Sequence, residues 1–157
     1  MLDDNAHMRS LMRAILSSFG VRNVEEAANV WEGFEVMARQ KVDVAFVDYR
    51  LGDLDGAEFV RRVRNDEESS DPFLPIIMIT AYSERSRVYQ AINAGVDEFL
   101  VKPIRAVDVA SRINAIIERR RPFVRSPDFF GPDRRRKKDT RYKGPWRRIE
   151  DPGTFSI

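Results

Sequence analysis

The sequence predicts a doubly wound α/β domain, a parallel sheet with helices on both faces. Three observations carry this. Short apolar runs of strand length alternate with helical patterns of about ten residues or more, which calls for crossover connections and parallel pairing. Two runs, Val42-Asp43-Val44-Ala45-Phe46-Val47 and Pro75-Ile76-Ile77-Met78-Ile79-Thr80, are almost continuously apolar, as strands covered on both faces are. The residues able to do chemistry fall where strands end, the edge at which open α/β sheets build their sites.

Each element follows from its pattern. Met8, Leu11, Met12, Ile15, Leu16 and Phe19 recur at helical spacing, so residues 7–19 are expected as an amphipathic helix with these side chains inward. Val24 to Ala28 reads as a short, weakly marked strand. Asn29 suits the N-cap of a second helix, in which Trp31, Phe34, Met37 and Ala38 share a face. Beyond the run at 42–47, a helix is expected from about Ala57 to Arg64, then a polar loop from Asn65 to Pro72. The run at 75–80 leads to a helix opened by Ser83 or Glu84 and stopped at Gly95. Glu98 to Val101 is a fourth visible strand. Ala106 to about Arg120 is the last helix, with Val109, Ala110, Ile113, Ile116 and Ile117 inward.

Beyond Arg120 neither period persists, so the chain divides into a domain at 1–120 and a tail at 121–157 that reads as disordered. Charge divides at the same place. Residues 1–120 hold 16 Lys/Arg against 20 Asp/Glu, a net of −4, and residues 121–157 hold 11 against 5, a net of +6. The tail contains an echo: Phe129-Phe130-Gly131-Pro132-Asp133-Arg134-Arg135 against Tyr142-Lys143-Gly144-Pro145-Trp146-Arg147-Arg148. Each copy is expected as an exposed turn followed by paired guanidiniums. No apolar run approaches the roughly 20 residues of a membrane span. The first residues lack the layout of a signal peptide. Without cysteine there is no disulfide or thiolate metal site. A cytoplasmic protein without membrane insertion is expected.

Four groups stand at the strand ends: Asp3-Asp4, Asp48, Thr80 and Lys102-Pro103. Three carboxylates gather unfavourably unless a cation sits among them, and a hard divalent ion such as Mg²⁺ meets that need. A lysine and a hydroxyl across the same pocket suit the oxygens of a phosphoryl group. Taken singly, each group has a plainer reading: helix-capping acids, a turn aspartate, a β-branched strand residue, a surface lysine. Their joint placement is what points to chemistry. His7, the single histidine, reads as a solvated residue early in its helix.

The stretches LDDNAHMR, FVDYRLGDLDG, IIMITAYSE and AINAGVDEFLVKPI, in this order and at these intervals, resemble the receiver domain of two-component response regulators, closest to the chemotaxis type, over about residues 2–120. The resemblance implies a flavodoxin-like sheet of order 2-1-3-4-5 and a signalling protein rather than an enzyme. It makes Asp48 the acceptor of a phosphoryl group from a sensor histidine kinase or phosphotransfer protein. It assigns Mg²⁺ to Asp4, Asp48 and the backbone carbonyl of Arg50, with Asp3 acting through water. Lys102 and Thr80 then serve the phosphoryl oxygens, Thr80 and Phe99 act as switch residues, and Pro103 follows a cis bond. A downstream protein target is expected on the face of the helix at 84–94, the strand at 98–101 and the helix at 106–120, with Tyr89, Ile104 and Arg105 as contacts.

Three departures qualify the resemblance. Gly52 stands where the family commonly has proline, which should loosen that loop. Tyr82 is bulky beside the site and, with Arg50, is expected to screen it from water. Only Met1 and Leu2 precede the acid pair, so the first, central strand is largely missing. That forfeits roughly 5–10 kcal/mol of burial, and a natural start upstream is expected. The 37 residues beyond Arg120 are too few for an output domain, so a stand-alone receiver is expected. The alternative is binding to nucleic acid or another anionic partner, driven by Arg134 to Lys138 with Phe130, Tyr142 and Trp146. A phosphatase using Asp48 would want a second acid two residues later, where Arg50 stands.

Overall fold

In the structure, a computed structural model, residues 1–52, 54–67, 69–81, 85–134 and 154–155 are described. The helices among them are α1 (Ala6–Ser18), α2 (Val30–Arg39), α3 (Gly56–Asn65), α4 (Arg85–Ala94) and α5 (Ala106–Glu118). The strands are β1 (Ala45–Asp48), β2 (Arg50–Leu51), β3 (Leu54–Asp55), β4 (Ile76–Thr80), β5 (Glu98–Val101), β6 (Phe123–Ser126), β7 (Phe129–Pro132) and β8 (Thr154–Phe155).

β1, β4 and β5 pair in parallel, with Val47 beside Met78 and Met78 beside Phe99. Alternation then sorts their side chains. Val47, Ile76 and Met78 join residues of α2, α3 and α4 in one core, against which Phe99 packs. Phe46, Ile77, Ile79 and Leu100 join Met12, Leu16, Val109 and Ile116 of α1 and α5 in the other. Both faces are covered, which is why the runs at 42–47 and 75–80 lack polar alternation.

The first strand is reduced to a stub. Leu2 bridges Ala27 on one side and Val47 on the other, both in parallel. Its N–H donates to the Phe46 carbonyl (2.8 Å), and its carbonyl accepts from the Asp48 N–H (2.8 Å). The order across the sheet is thus the segment at 27, the stub, β1, β4 and β5, which is the doubly wound order 2-1-3-4-5. Beside the stub lies an apolar groove of about 400 Å³ lined by Val24, Val42, Val44, Leu16, Phe59 and others.

Some inward faces differ from the sequence reading. On α2 the buried residues are Val30, Gly33 and Met37, while Trp31 is 63% exposed and Ala38 is exposed. The face is turned because α2 approaches α3 closely: a Cβ on Gly33 would stand 3.1 Å from the Phe59 ring. Trp31 instead lies under the Arg62 guanidinium, 5.5 Å from its ring centroid. Leu11 on α1, Phe19 at its C-cap and Ile117 on α5 are exposed. An apolar stripe wider than the contact leaves its margins in solvent. The expected strand at 24–28 is present only as the Ala27 bridge.

The larger difference is at 121–134, expected as unstructured chain. β6 and β7 form an antiparallel hairpin, with Val124 opposite Gly131, and β8 pairs with β6. Phe123, Phe129 and Phe130 are all buried. The Phe73 ring meets those of Phe123 (5.1 Å) and Phe130 (5.2 Å). The first copy of the echo is therefore a buried strand rather than an exposed turn. Alternating burial was invisible because both faces of β7 are covered, leaving no period-2 pattern to read. The second copy and Arg135 lie outside the described residues.

Beneath the hairpin, Arg64 is 1% exposed. Its Nε donates to the Gly95 carbonyl (3.0 Å), and Nη1 to the carbonyls of Pro72 and Leu74 (2.8 Å each). Nη2 donates to Asp97 Oδ2 (2.9 Å), and the guanidinium lies 5.0 Å from the Phe123 ring centroid. Burial holds the Arg64 pKa down at about 10, against the pull of Asp97.

Candidate phosphoacceptor site

Asp48 is the last residue of β1 and is 6% exposed. Its Oδ1 lies 2.8 Å from Lys102 Nζ, a short charge-assisted contact. Its Oδ2 accepts from the Arg50 N–H at 3.2 Å, while the Arg50 side chain is exposed. Lys102 follows β5, and its N–H donates to the Thr80 carbonyl (2.9 Å). This places the ends of β4 and β5 side by side. Thr80 is 7% exposed, and the Lys102–Pro103 bond is cis, as expected. Strand ends thus bring Asp48, Thr80 and Lys102 together from positions up to 54 residues apart.

The acid pair stands opposite. Asp3 is fully buried. Its Oδ1 accepts from the Asn5 N–H (2.8 Å), whereas Oδ2 has no hydrogen-bond donor and lies 3.8 Å from Lys102 Nζ. Burial pushes the Asp3 carboxyl up; the Asn5 N–H opposes this, Asp48 adds to the rise, and Lys102 opposes it further. Asp4 is exposed, and its Oδ2 accepts from the Gly52 N–H at 3.2 Å. Asn5 then caps α1 by accepting from the N–H groups of His7 and Met8, and His7 is exposed as expected.

A divalent ion fits this set. Asp3 Oδ2 is a buried acceptor without a donor, and Asp48, Asp4 and the Arg50 carbonyl are further hard oxygens nearby in sequence and fold. Among the described residues no three acidic side chains close into a cage. Mg²⁺ does not require one, because it binds through one or two carboxylates and keeps waters.

Gly52 departs from the expectation of a loosened loop. Its φ is +60° and its N–H serves Asp4, neither of which proline allows. The turn it occupies is fastened by the antiparallel pairing of β2 with β3. Phe99 is half-buried and packs on the core shared with α4. Of the expected partner contacts, Tyr89 is exposed (65%) and Ile104 is half-buried. Arg105 is exposed and its Nε pairs with Asp108 at 2.6 Å. Tyr82, Ser83 and Glu84 lie outside the described residues. Two features of the surroundings carried no sequence signal, one a side chain of the first helix turn folded back onto the backbone and the other a contact between residues 41 positions apart. Arg9 donates to the Asp3 carbonyl (2.9 Å), and the Tyr49 hydroxyl donates to Gln90 Oε1 of α4 (2.6 Å).

Fold and site together define a doubly wound receiver domain of the chemotaxis type. The chain belongs to the response regulator receiver domain family, which it matches over residues 1–114. It is 29% identical over 118 residues to the chemotaxis protein CheY-3 of Vibrio cholerae serotype O1, covering 75% of this chain and 89% of that protein. It is 30% identical over 118 residues to the chemotaxis protein CheY of Pseudomonas aeruginosa, covering 75% and 94%. Among solved structures, the receiver domain of sensor histidine kinase PA1611 from Pseudomonas aeruginosa PAO1, with a magnesium ion coordinated in its active site cleft, superposes with a TM-score of 0.63. That alignment has 27% identity and covers 72% of this chain and 90% of that one. The chain is a receiver of two-component signalling. Among the described residues, no helix is long and apolar enough to cross a membrane.

Proposed function

We propose that this receiver takes a phosphoryl group on Asp48 from a phosphohistidine of a sensor histidine kinase or phosphotransfer protein, and that the modification alters a partner-binding face. The observation that carries the reading is the 2.8 Å contact of Lys102 Nζ with Asp48 Oδ1, beside Thr80. An Asp48 oxygen attacks phosphorus, the P–N bond breaks, and the imidazole leaves, taking a proton. Lys102 then has a phosphoryl oxygen to pair with, and the Thr80 hydroxyl is the neutral donor at the same strand edge. Asp4, Asp48 and the Arg50 carbonyl would hold Mg²⁺, with Asp3 assisting. The ion would neutralise the gathered negative charge. Nothing in this chemistry turns over a metabolite.

The rival reading, a tail that binds nucleic acid, loses two of its described groups to internal packing. Phe130 is 3% exposed, and Arg134 stands 4.0 Å over the Phe129 ring and bonds Asn93.

The test is intact-mass analysis after incubation with acetyl phosphate and Mg²⁺. One phosphoryl increment is expected on the wild type and none on Asp48→Asn. Labelling of that variant would move the acceptor elsewhere.

A further inference from the structure

We propose that the C-terminal hairpin, β6 and β7, is the output element of this receiver, coupled to Asp48 through Tyr49 and α4. The proposal rests on the reading of Asp48 as phosphoacceptor and adds where the signal goes.

The route is continuous and short. Tyr49 follows Asp48 directly. Its N–H donates to the Ile79 carbonyl (2.8 Å) and its carbonyl accepts from the Gly56 N–H (2.8 Å), so its backbone is fixed to β4 and to the start of α3. A Cβ on Gly56 would stand 2.1 Å from the Asp48 carbonyl oxygen, which leaves this corner no slack. The Tyr49 side chain is 8% exposed, and its hydroxyl reaches Gln90 at 2.6 Å. Gln90 lies one helical turn before Ala94, the last residue of α4. A change at Asp48 thus has a hydrogen-bonded handle on α4, separate from the connection of α4 to Thr80 along the chain.

At its other end α4 meets the hairpin backbone to backbone. Gly95 closes the helix at φ +100°, with Val96 N–H donating to the Ala91 carbonyl (3.3 Å) and Gly95 N–H to that of Ile92 (3.2 Å). This is the double closure of a left-handed C-cap. A Cβ on Gly131 would stand 2.7 Å from the Gly95 Cα, and one on Gly95 would stand 2.9 Å from the Phe130 carbonyl oxygen. Two glycines in contact leave no side chain to absorb a shift by changing rotamer, so any movement of this helix end must be taken up by β7.

Charge reinforces the contact. Arg134 bonds Asn93 in the last turn of α4, and Arg121 donates to the carbonyls of Val96 (3.4 Å) and Asp97 (2.5 Å). Two cations thus stand by the C-terminus of α4, one on the Asn93 side-chain oxygen and one on the carbonyls just past the helix, and both favour the docked hairpin. Docking therefore depends on where those carbonyls point. Tyr49 and Gln90 through their side chains, and Gly95 and Gly131 through their backbones, act as positioning residues away from the reacting atoms.

Hydrogen exchange of peptides spanning 121–134, read by mass with and without acetyl phosphate and Mg²⁺, tests this, with β4 peptides as the internal reference. In the wild type, labelling should change exchange of the hairpin by about fivefold or more, the lower end of ordinary allosteric coupling. Tyr49→Phe deletes only the hydroxyl. It should label to the same extent and lose most of that change, as should Gln90→Ala on the exposed side of α4. A labelled wild type with unchanged hairpin exchange overturns the proposal, as does a response that persists in both variants. Failure of the wild type to label overturns the reading of Asp48 and this proposal with it. The mass measurement tells that failure from the others.

Discussion

Arg64→Met keeps the stem of the side chain and removes a guanidinium that holds four acceptors. What remains is a buried carboxylate, Asp97, 4% exposed, still accepting from the Ile76 N–H (2.9 Å) and with Arg120 Nε 3.8 Å away. Breaking a buried ion pair on one side costs about 3–5 kcal/mol, a large part of the roughly 5–15 kcal/mol by which domains are stable. At about 2–4 °C per kcal/mol for a chain of this length, the melting temperature should fall by about 6–20 °C. The loss should also depend on pH. Burial pushes the Asp97 carboxyl up, and Arg64 is the chief group opposing it. Without Arg64 it rises further, so the folded variant binds a proton at pH values where its unfolded chain, at about 3.9, does not. The unfolded chain titrates Asp97 alike in both proteins, so stability of the variant relative to wild type should recover as pH falls through the variant's raised value toward the smaller raised value Asp97 keeps beside Arg64. Adding Asp97→Asn, which keeps an acceptor for Ile76 and removes the charge, should restore part of the loss at pH 7. The assay is urea unfolding at pH 7 and pH 5. A loss below about 1 kcal/mol, near the range of surface substitutions, would refute the reasoning.

Further outcomes follow from the same geometry. Gly52→Ala should lose about 1–2 kcal/mol in chemical denaturation because of the left-handed φ. Gly52→Pro should lose more and also weaken Mg²⁺-dependent labelling, since the donor to Asp4 goes. Lys102→Met should slow labelling by acetyl phosphate about tenfold or more, the worth of one hydrogen bond to a charged group, as measured by time-resolved intact mass. Ending the chain at Arg121 strips three buried phenylalanines, worth about 1.5–3 kcal/mol each, and should lower the melting temperature sharply or unfold the domain. Ending it after Arg134 retains all three and should preserve most of the stability. Equal melting of the two truncations would mean that the hairpin adds nothing to the fold.

Much of the fold was legible because its signals are local. The two-sided burial of β1 and β4 shows as unbroken apolar runs, the caps at Asn29 and Gly95 as residue types, and the site as acid, hydroxyl and lysine at successive strand ends. Asp3, Asp48, Thr80 and Lys102 could be named because the doubly wound order brings strand ends to one edge whatever the side chains between them. Helix faces were less legible: Trp31, Leu11 and Ile117 fit an apolar period, yet which margin of a stripe is covered depends on how closely a neighbour approaches, and at α2 Gly33 against Phe59 decides it. Phe129 and Phe130 gave no usable pattern, since a strand buried at every position has no alternation to show. Nor did Arg64 differ by sequence from the arginines at 61 and 62, which face solvent or half-exposed surface on the same helix. Its burial, like the bond from Tyr49 to Gln90, exists only because residues tens of positions apart meet. Local chemistry determined the elements and the acceptor edge. The tertiary structure alone decided which arginine is buried, where the hairpin docks and what the residue beside Asp48 can reach, because each depends on a distance between segments that no local period encodes.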